Sequence, residues 1–511
     1  MRSADLLNQY RFPDDFIWGT GTSAYQIEGA PFADGKGESI WDRFSHTPAK
    51  VKNDENGDVA CDHYNRFEDD LRLAKQLNLD AYRFSISWPR VQPDGRGGFN
   101  EKGMDFYDRL IDAVVANGMV PFVTLYHWDL PQALQDQGGW ANREVCSLFA
   151  AYAAKMVERY GHRVEFWATF NEPWCSAYLG HAWGVHAPGL ADESLAAQVS
   201  HNLLLAHGLA AKAIRAAAKR PLQVGIVLNQ STHEPLNPES PEDVQLAENI
   251  WKFDFGQWLD PLIKGVYPAE VAAKIGDLQD GDLAIINQKL DYVGVNYYFR
   301  NVVSKYGVTH PLPGSEYTDM PWEVTPKSLR TLLTRISKEY GYPTLYVTEN
   351  GAAFNDVLGR DGQVHDTGRL NYIREHVKQV ALCIEDGINV KGYFAWSLMD
   401  NFEWAEGYSK RFGLLYVDYA TQARTVKDSG LWYAQTAATN SIALADFLPA
   451  GELDGHAEAT TSELDQGLDE HADPVDPTDT WTPSGTKTSE LLLAVALVLA
   501  AYFLLAHVFV Q

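Results

Sequence analysis

Cysteine is scarce in this chain, with four residues among 511 and no C-x-x-C pair. The four are Cys61, Cys146, Cys175 and Cys383, each far from the others in sequence. Such spacing provides neither a zinc-binding motif nor the disulfide framework of a small secreted domain. We therefore expect a reducing compartment, and neither a metal nor an organic cofactor.

Basic residues are also few, because 42 Lys and Arg face 68 Asp and Glu, which gives a formal net charge of −26. Binding to nucleic acid needs a basic face, so this balance argues against nucleic acid as a partner. The acids are concentrated in residues 446–490, where twelve acids accompany a single base, Lys487, among many Thr, Pro and Gly. This composition predicts an acidic, disordered linker.

Long apolar runs are rare, and the first fifteen residues contain no apolar core of the kind that a secretory signal needs. The exception is the C-terminus, where Leu491 to Val510 is a run of twenty residues without a formal charge at neutral pH. About twenty apolar residues suffice to cross a bilayer as a helix. We expect residues 491–511 to form a transmembrane anchor that tethers a cytoplasmic body to a membrane. The alternative is a hydrophobic helix that docks on the body or on a partner.

Between these ends the chain alternates short β-prone runs with amphipathic helical stretches, which is typical of a parallel sheet with crossover helices. Eight such runs occur: 16–22, 81–87, 119–126, 164–170, 222–228, 292–297, 344–348 and 392–396. Eight β/α units in one uninterrupted body predict an α/β fold, a single-domain (β/α)8 TIM barrel. We place this barrel at residues 12–445, after an N-terminal extension of residues 1–11.

Active sites of such barrels are built at the C-terminal ends of the strands. Polar and aromatic residues recur at or just beyond the ends of seven of the eight runs. They are Gln26, Arg83, His127, Trp128, Asn171, Glu172, Asn296, Tyr298, Glu349, Asn350, Trp396, Glu403 and Trp404. A lone His127 or Arg83 is more often a structural residue, but agreement at seven strand ends predicts one shared pocket.

Two carboxylates in that pocket, Glu172 and Glu349, are the groups required to cleave a glycosidic bond. One carboxyl must be protonated to give a proton to the leaving oxygen, and the other must be ionised to attack. Arg83 and Tyr298 beside Glu349 would favour its ionised form, which makes Glu349 the expected nucleophile and Glu172 the expected acid and base. The indoles would stack on sugar faces, and His127 and the amides would bind hydroxyls.

Several longer segments are specific enough to identify a family. They are F-I-W-G-T-G-T-S-A-Y-Q-I-E-G, Y-R-F-S-I-S-W-P-R, L-Y-H-W-D-L-P, T-F-N-E-P, V-N-Y-Y, Y-V-T-E-N-G and W-S-L-M-D-N-F-E-W followed by R-F-G-L-L-Y-V-D. With them the chain resembles the β-glucosidases of glycoside hydrolase family 1 from about Phe12 to Ala445. The acidic linker and the hydrophobic tail depart from that pattern, because members are mostly soluble.

The resemblance implies a retaining mechanism with the glutamate of T-F-N-E-P, Glu172, as acid/base and that of T-E-N-G, Glu349, as nucleophile. It also implies sugar binding by Gln26, His127, Asn171, Glu403 and Trp404, a stacking platform at Trp396, and Asn296 and Tyr298 beside the nucleophile. The expected partner is a small β-glycoside or an oligosaccharide.

Alternatives within this resemblance concern the substrate. Members acting on 6-phospho-sugars carry a serine where this chain has Glu403, and a carboxylate there would repel a phosphate. Myrosinase-like members replace the acid/base glutamate by glutamine, whereas this chain retains Glu172. Glucose, galactose and fucose remain open, as does transfer to an acceptor other than water. An alternative of another class is a membrane-tethered sugar-binding protein without catalysis.

Overall fold

The computed structural model describes residues 9–308, 312–341 and 344–443. The predicted acidic linker at 446–490 and the predicted membrane helix at 491–511 lie outside these residues. Within the described ranges, no helix combines the length and the apolar character needed to cross a membrane.

Eight parallel strands close into a barrel in the order β7-β8-β1-β2-β3-β4-β5-β6, which confirms the predicted TIM barrel. The strands are β1 (Ile17–Gly21), β2 (Ala81–Ser85), β3 (Val120–Tyr126), β4 (Phe166–Asn171), β5 (Gln223–Asn229), β6 (Tyr292–Asn296), β7 (Leu345–Asn350) and β8 (Val390–Trp396). Almost all their residues are buried, as expected where helices cover the outer face of a parallel sheet.

A long helix follows each strand and packs outside the barrel. These helices are α1 (His63–Gln76), α2 (Glu101–Ala116), α3 (Glu144–Tyr160), α4 (Ala196–Ala217), α5 (Pro241–Leu259), α6 (Pro326–Tyr340), α7 (Thr367–Glu385) and α8 (Asp428–Thr439). The amphipathic pattern of α2 and α6 is strong, and their apolar residues, such as Leu110 and Leu332, are buried against the sheet.

Shorter elements lie mainly in the connections. A three-stranded sheet consists of His233–Pro235, Asn301–Ser304 and Gly307–Val308, and a hairpin consists of Leu415–Asp418 and Ala423–Val426. Short α-helices are Ala24–Ile27, Ile40–Ser45, Trp88–Val91, Gln132–Gln135, Ala269–Ala272 and Asp282–Ile286. Cys175–Ala182 and Asp260–Lys264 are π-helical, and Ala33–Gly35, Lys52–Asp54, Gly139–Ala141, Glu193–Leu195 and Trp404–Glu406 are 3₁₀ turns.

The N-terminal end of the barrel is filled by aromatic rings. Phe122 lies 5.0 Å from Phe394 and 5.4 Å from Tyr346, measured between ring centroids, and Tyr292 lies 5.4 Å from Tyr346. A Cβ at Gly19 would lie 2.4 Å from the Phe394 ring, so only glycine leaves room for that ring at this position. Because this end is packed solid, a cavity within the barrel opens at the opposite, C-terminal end of the strands.

Most strand ends differ from the sequence-based expectation by one or two residues, and two differences at the ends of elements bear on the fold and the site. Gln9–Arg11, which we assigned to the N-terminal extension, form a strand antiparallel to Ser441–Ala443, so the two ends of the barrel segment are paired with each other. Strand β7 extends through Glu349 and Asn350 instead of ending at Thr348. Low β-propensity predicts that a strand ends where polar residues begin, but the backbones of the neighbouring strands still offer hydrogen-bonding partners at these two residues.

Candidate active site

Glu172 and Glu349 lie at the C-terminal end of the barrel and line one cavity of about 400 Å³. Glu172 follows the last residue of β4, and Glu349 is the penultimate residue of β7. A Cβ at Gly351 would lie 1.9 Å from the carbonyl oxygen of Trp396, so glycine lets the ends of β7 and β8 approach closely. The two carboxyl groups therefore share a pocket whose walls come from several strands.

Glu349 is held by a charged donor and a phenol. Arg83 Nη1 donates to Glu349 Oε1 at 2.6 Å, and the Tyr298 hydroxyl donates to Oε2 at 2.7 Å. The side chains of Arg83 and Glu349 are only 1% and 4% exposed. An ion pair sheltered from water, with a second donor on the other oxygen, stabilises the ionised carboxylate.

Glu172 has a different environment, without a cation in contact. Asn296 Nδ2 donates to its Oε1 at 2.7 Å, and the Cys175 thiol donates to its Oε2 at 3.1 Å. Burial, and then the negative charge of Glu349, raise the pKa of Glu172 to about 7. One carboxyl of the pair is therefore paired with a cation, while the other is readily protonated at neutral pH.

Hydrogen bonds fix the orientation of the amides between the two carboxyls. Asn171 Oδ1 accepts from Arg83 Nη2 at 2.6 Å and from Asn296 Nδ2 at 3.0 Å. Thr348 Oγ1 donates to Asn296 Oδ1 at 2.7 Å, which leaves the NH₂ group of Asn296 directed toward Glu172. Each acceptor in this network receives a hydrogen bond, so the network favours a single orientation of the two amide groups.

His127 is neutral in this environment. Burial, with the charge of Arg83 as a second cause, holds the pKa of His127 well below its ordinary value. Its Nε2 accepts from Asn171 Nδ2 at 3.0 Å, which places the ring proton on Nδ1. Within the described part of the chain Nδ1 has no hydrogen-bond partner. His127 can therefore donate a hydrogen bond to a sugar hydroxyl.

Aromatic rings form the floor and one side of the cavity. The ring of His127 is nearly parallel to those of Trp396 and Trp404, with centroids 5.9 and 6.1 Å away, and Trp128 lies 4.5 Å from Trp404. Trp128 Nε1 also donates to the Asn171 carbonyl oxygen at 2.9 Å. These faces provide the flat apolar surfaces on which a sugar ring can stack.

Glu403 is the third carboxyl of the cavity. Burial, followed by the charges of Glu349 and Glu172, raises the pKa of Glu403 to about 8. Gln26 lies behind it, donating through Nε2 to the Asn401 side chain at 3.1 Å, to the Phe402 carbonyl at 3.0 Å and more weakly to Glu403. Gln26 thus anchors the segment that carries Glu403.

Ten of the thirteen residues selected at the strand ends line the cavity. They are His127, Trp128, Asn171, Glu172, Asn296, Tyr298, Glu349, Trp396, Glu403 and Trp404. Gln26, Arg83 and Asn350 do not line it, because all three are fully buried, although Gln26 and Arg83 contact residues that do. Sugar binding by Gln26 stays a prediction.

Three residues of the site have left-handed backbone conformations: Trp128 with φ 77°, Glu172 with φ 46° and Trp404 with φ 52°. Non-glycine residues rarely adopt such angles, which store about 1–3 kcal/mol of strain each. The surrounding packing holds them there, and each turn directs a side chain into the cavity.

Comparison with known proteins identifies the family. The family model described as Glycosyl hydrolase family 1 matches residues 8–442. The chain belongs to this family. It is therefore a glycoside hydrolase, as the sequence motifs predicted.

Relatives of known name agree with this assignment. The chain is 48% identical over 447 residues to Beta-glucosidase A of Thermotoga maritima, covering 85% of this chain and 100% of that protein. It is 44% identical over 462 residues to the bifunctional beta-D-glucosidase/beta-D-fucosidase of Bifidobacterium breve, covering 84% and 99%. A solved structure of the Thermotoga maritima enzyme in complex with glucoimidazole matches with a TM-score of 0.82 at 48% identity, covering 84% of this chain and 99% of that one.

Several residues of this glycosyl hydrolase site were not predicted from the sequence. Cys175 is one of them, and its thiol donates to Glu172. Further lining residues come from the π-helix after β4, from the segment after β5 and from α5; they include Trp174, Trp183, Gln230, His233, Asp254 and Trp258. Trp174 directly follows the motif T-F-N-E-P and Gln230 directly follows the last residue of β5, so the strand-end rule could have found both. The others lie farther along the chain, where that rule does not reach. In the described ranges, no group of three His, Cys, Asp or Glu is placed to hold a metal ion.

Proposed function

We propose that this glycoside hydrolase is a retaining exo-β-glucosidase that releases a terminal β-glucosyl unit through a covalent intermediate on Glu349. The observation that carries the proposal is the contrast between the two carboxyls. Arg83 and Tyr298 stabilise a carboxylate at Glu349, while burial raises the pKa of Glu172 to about 7. A pair with divided roles is what acid-assisted glycosidic cleavage requires.

In the first step, Glu349 attacks the anomeric carbon and forms an ester bond as the bond to the leaving oxygen breaks. Glu172 gives its proton to that oxygen, so the leaving group departs neutral. Formation of the ester removes the charge of Glu349, which is one of the causes that raise the pKa of Glu172. Glu172 then ionises more readily and becomes the base that the second step needs.

In the second step, Glu172 accepts a proton from water as its oxygen attacks the anomeric carbon, and Glu349 leaves as a carboxylate. Arg83 and Tyr298 donate to the two oxygens that regain the charge. Two displacements at the same carbon retain its configuration.

The exo mode follows from the shape of the barrel. The aromatic layer of Phe122, Tyr346 and Phe394 closes the end opposite the opening. A sugar chain can enter only with its terminal unit, because the cavity ends within the barrel. Glucose is the proposed terminal sugar, with Glu403 and Trp404 as the groups nearest its hydroxyls. The corresponding galactosides and fucosides should be assayed together with the glucoside. The Bifidobacterium relative is named for both glucosidase and fucosidase activity.

The proposal is tested with two variants. Glu349→Ala should abolish hydrolysis of 4-nitrophenyl β-glucoside, and added azide should restore turnover with an α-glucosyl azide as product. Glu172→Ala should reduce turnover of substrates with poor leaving groups far more than of activated ones, since only the former need the proton. Absence of azide rescue would reject Glu349 as nucleophile, and equal losses on both substrate types would reject Glu172 as acid.

We also propose that the C-terminal segment tethers the enzyme to a membrane with the barrel on the cytoplasmic side. The uncharged run from Leu491 to Val510 supports the tether. The cysteines within the described ranges are all buried and unpaired, which supports a reducing compartment. Fractionation should place the full-length protein with membranes and a variant lacking residues 491–511 in the soluble fraction. A full-length protein in the soluble fraction would reject the tether, and digestion of the barrel by external protease in intact cells would reject the orientation.

A further inference from the structure

Because Glu172 gives its proton to the leaving oxygen in the proposed reaction, the part of the cavity beside the end of β4 is taken as the half that receives the leaving group. Its walls come from the π-helix after β4, the segment after β5 and helix α5. Gln230, His233 and Asp254 lie together in this half, and we call them the acceptor wall. The role of the acceptor wall rests on the proposed hydrolysis of β-glucosides, because the wall would decide which leaving groups that reaction accepts.

The cavity is lined by acidic side chains, although Glu349 pairs with Arg83, Glu406 pairs with Lys52 at 3.3 Å, and the raised pKa values of Glu172 and Glu403 favour their neutral forms. Its lining includes five carboxyl groups and neither Lys nor Arg. The five are Glu172, Asp254, Glu349, Glu403 and Glu406. Arg300 stands between the lining residues Phe299 and Asn301, but its guanidinium pairs with Glu323 at 2.9 Å and with Glu234 at 2.7 Å. Arg411, which precedes the lining residue Phe412, pairs with Asp400 at 2.6 Å, so both bases that adjoin lining residues in sequence are already neutralised.

Asp254 is the carboxylate of the leaving-group half and remains partly accessible, with its side chain 32% exposed. His233 Nε2 contacts Asp254 Oδ2 at 2.9 Å, and the His233 side chain is 2% exposed. When Nε2 carries the proton that Asp254 accepts, His233 Nδ1 becomes an acceptor. Among the described residues, this nitrogen has no hydrogen-bond partner.

Gln230 adds a second acceptor to the same wall. The residue is 7% exposed, and its Oε1 has no hydrogen-bond partner in the part of the chain that the structure describes. A buried polar atom without a partner is costly, so a bound molecule that supplies a donor to it would be stabilised. The acceptor wall thus calls for donors, which hydroxyl and ammonium groups supply and carboxylates or phosphates do not.

Aromatic rings line the same cavity as these acceptors. Trp174 and Trp183 meet edge to face at 5.4 Å, and Trp322 lies 5.1 Å from Tyr298. All three tryptophans line the cavity. Aromatic faces attract cations as well as apolar rings, and they offer nothing to an anion.

We propose that the acceptor wall selects leaving groups that carry hydrogen-bond donors and are neutral or cationic, and that it disfavours anionic ones, with Asp254 as the specificity-determining residue. A free carboxylate or phosphate in this half would meet the Asp254 carboxylate, and the cavity lining contains no Lys or Arg that could compensate. An ammonium group would gain from Asp254 and from the indole faces.

The test uses three aryl β-glucosides that differ only in a para substituent: hydroxymethyl, aminomethyl or carboxymethyl. The methylene separates the charge from the ring, so the three phenols leave with similar ease. At low ionic strength kcat/KM should be highest for the aminomethyl substrate and about tenfold lower for the carboxymethyl substrate. Raising the salt concentration should narrow this ratio, because exposed charges are screened.

Variants then assign the preference to Asp254. Asp254→Asn should reduce the ratio of aminomethyl to carboxymethyl kcat/KM severalfold, and Asp254→Glu, which restores the charge, should recover most of it. Glu68→Gln removes an exposed carboxylate of α1 outside the cavity and should leave the ratio unchanged.

Equal kcat/KM for the two charged substrates in the unaltered enzyme would overturn the proposal without the use of any variant. An unchanged ratio in a folded Asp254→Asn protein would overturn the role of Asp254. The hydroxymethyl substrate separates this inference from the proposed function. If that neutral glucoside is not hydrolysed, the proposed function fails; if it is hydrolysed without charge discrimination, only the present inference fails.

Discussion

Thr348→Val tests whether the amide of Asn296 sets the acidity of the catalytic acid. Thr348 does not line the cavity, but its hydroxyl donates to Asn296 Oδ1 at 2.7 Å, and Asn296 Nδ2 then donates to Glu172 Oε1 at 2.7 Å. Valine has nearly the shape of threonine without the donor. The substitution frees the amide to turn, and its oxygen can then face Glu172 and disfavour the ionised carboxylate.

The direction and size of the effect follow from these contacts. The Asn296 hydrogen bond lowers the pKa of Glu172, so weakening it raises that pKa above about 7. Glu172 must be protonated in the free enzyme, so kcat/KM falls as the pH rises through this pKa. A hydrogen bond to a charged group contributes about 1.5–3 kcal/mol and one pKa unit corresponds to about 1.4 kcal/mol. Partial loss of the bond should move the alkaline limb upward by about half to one pH unit.

The assay is the pH profile of kcat/KM on an unactivated aryl β-glucoside, with thermal unfolding measured beside it. Thr20→Val is the matched control, because Thr20 is also a fully buried barrel threonine and donates to the Ala395 carbonyl at 2.9 Å. Both variants should lose about 1–3 kcal/mol of stability, but only Thr348→Val should shift the limb. An alkaline limb that stays in place or moves to lower pH in Thr348→Val would refute the reasoning.

Three further predictions concern Tyr298, Arg83 and the buried Asp129. Tyr298→Phe removes the 2.7 Å hydrogen bond to Glu349 Oε2, and we expect kcat/KM to fall about 10- to 100-fold. A pre-steady-state burst should also be seen as the intermediate accumulates. Tyr408→Phe, outside the cavity, should show neither change. Arg83→Met leaves Glu349 buried and unpaired and should lower the free energy of unfolding by about 3–5 kcal/mol in chemical denaturation, so a loss below about 1 kcal/mol would contradict the pairing. Burial raises the pKa of Asp129 to about 8, so the folded state is stabilised by protonated Asp129 at low pH and loses that stabilisation as the pH rises toward 8. The melting temperature of Asp129→Asn should therefore exceed that of the unaltered enzyme by more at pH 9 than at pH 6. An equal difference at the two pH values would contradict the raised pKa of Asp129.

The sequence alone was sufficient for the family and for the barrel. The eight β-prone runs correspond to the eight strands of the closed sheet, because strands of a parallel barrel are apolar on both faces and stand out against amphipathic helices. The strand-end rule also selected residues that line one cavity, among them Glu172 and Glu349. Both results depend on patterns of short range, which a single chain displays directly.

Only the tertiary structure decided the contacts between distant segments. Arg83 was expected beside Glu349, and the structure gives that contact its geometry across 266 positions of sequence. The contact of Asn296 with Glu172, across 124 positions, was not expected, and with the first it divides the roles of the two carboxyls. The paired strand at Gln9–Arg11 depends in the same way on residues more than four hundred positions away. The leaving-group half was not visible in the sequence either, because His233 lies in a short strand outside the barrel and Asp254 lies on helix α5, and only packing brings the two together. Strand positions are a property of local pattern, whereas charge, protonation and selectivity in this cavity arise from which side chains the closed barrel brings together.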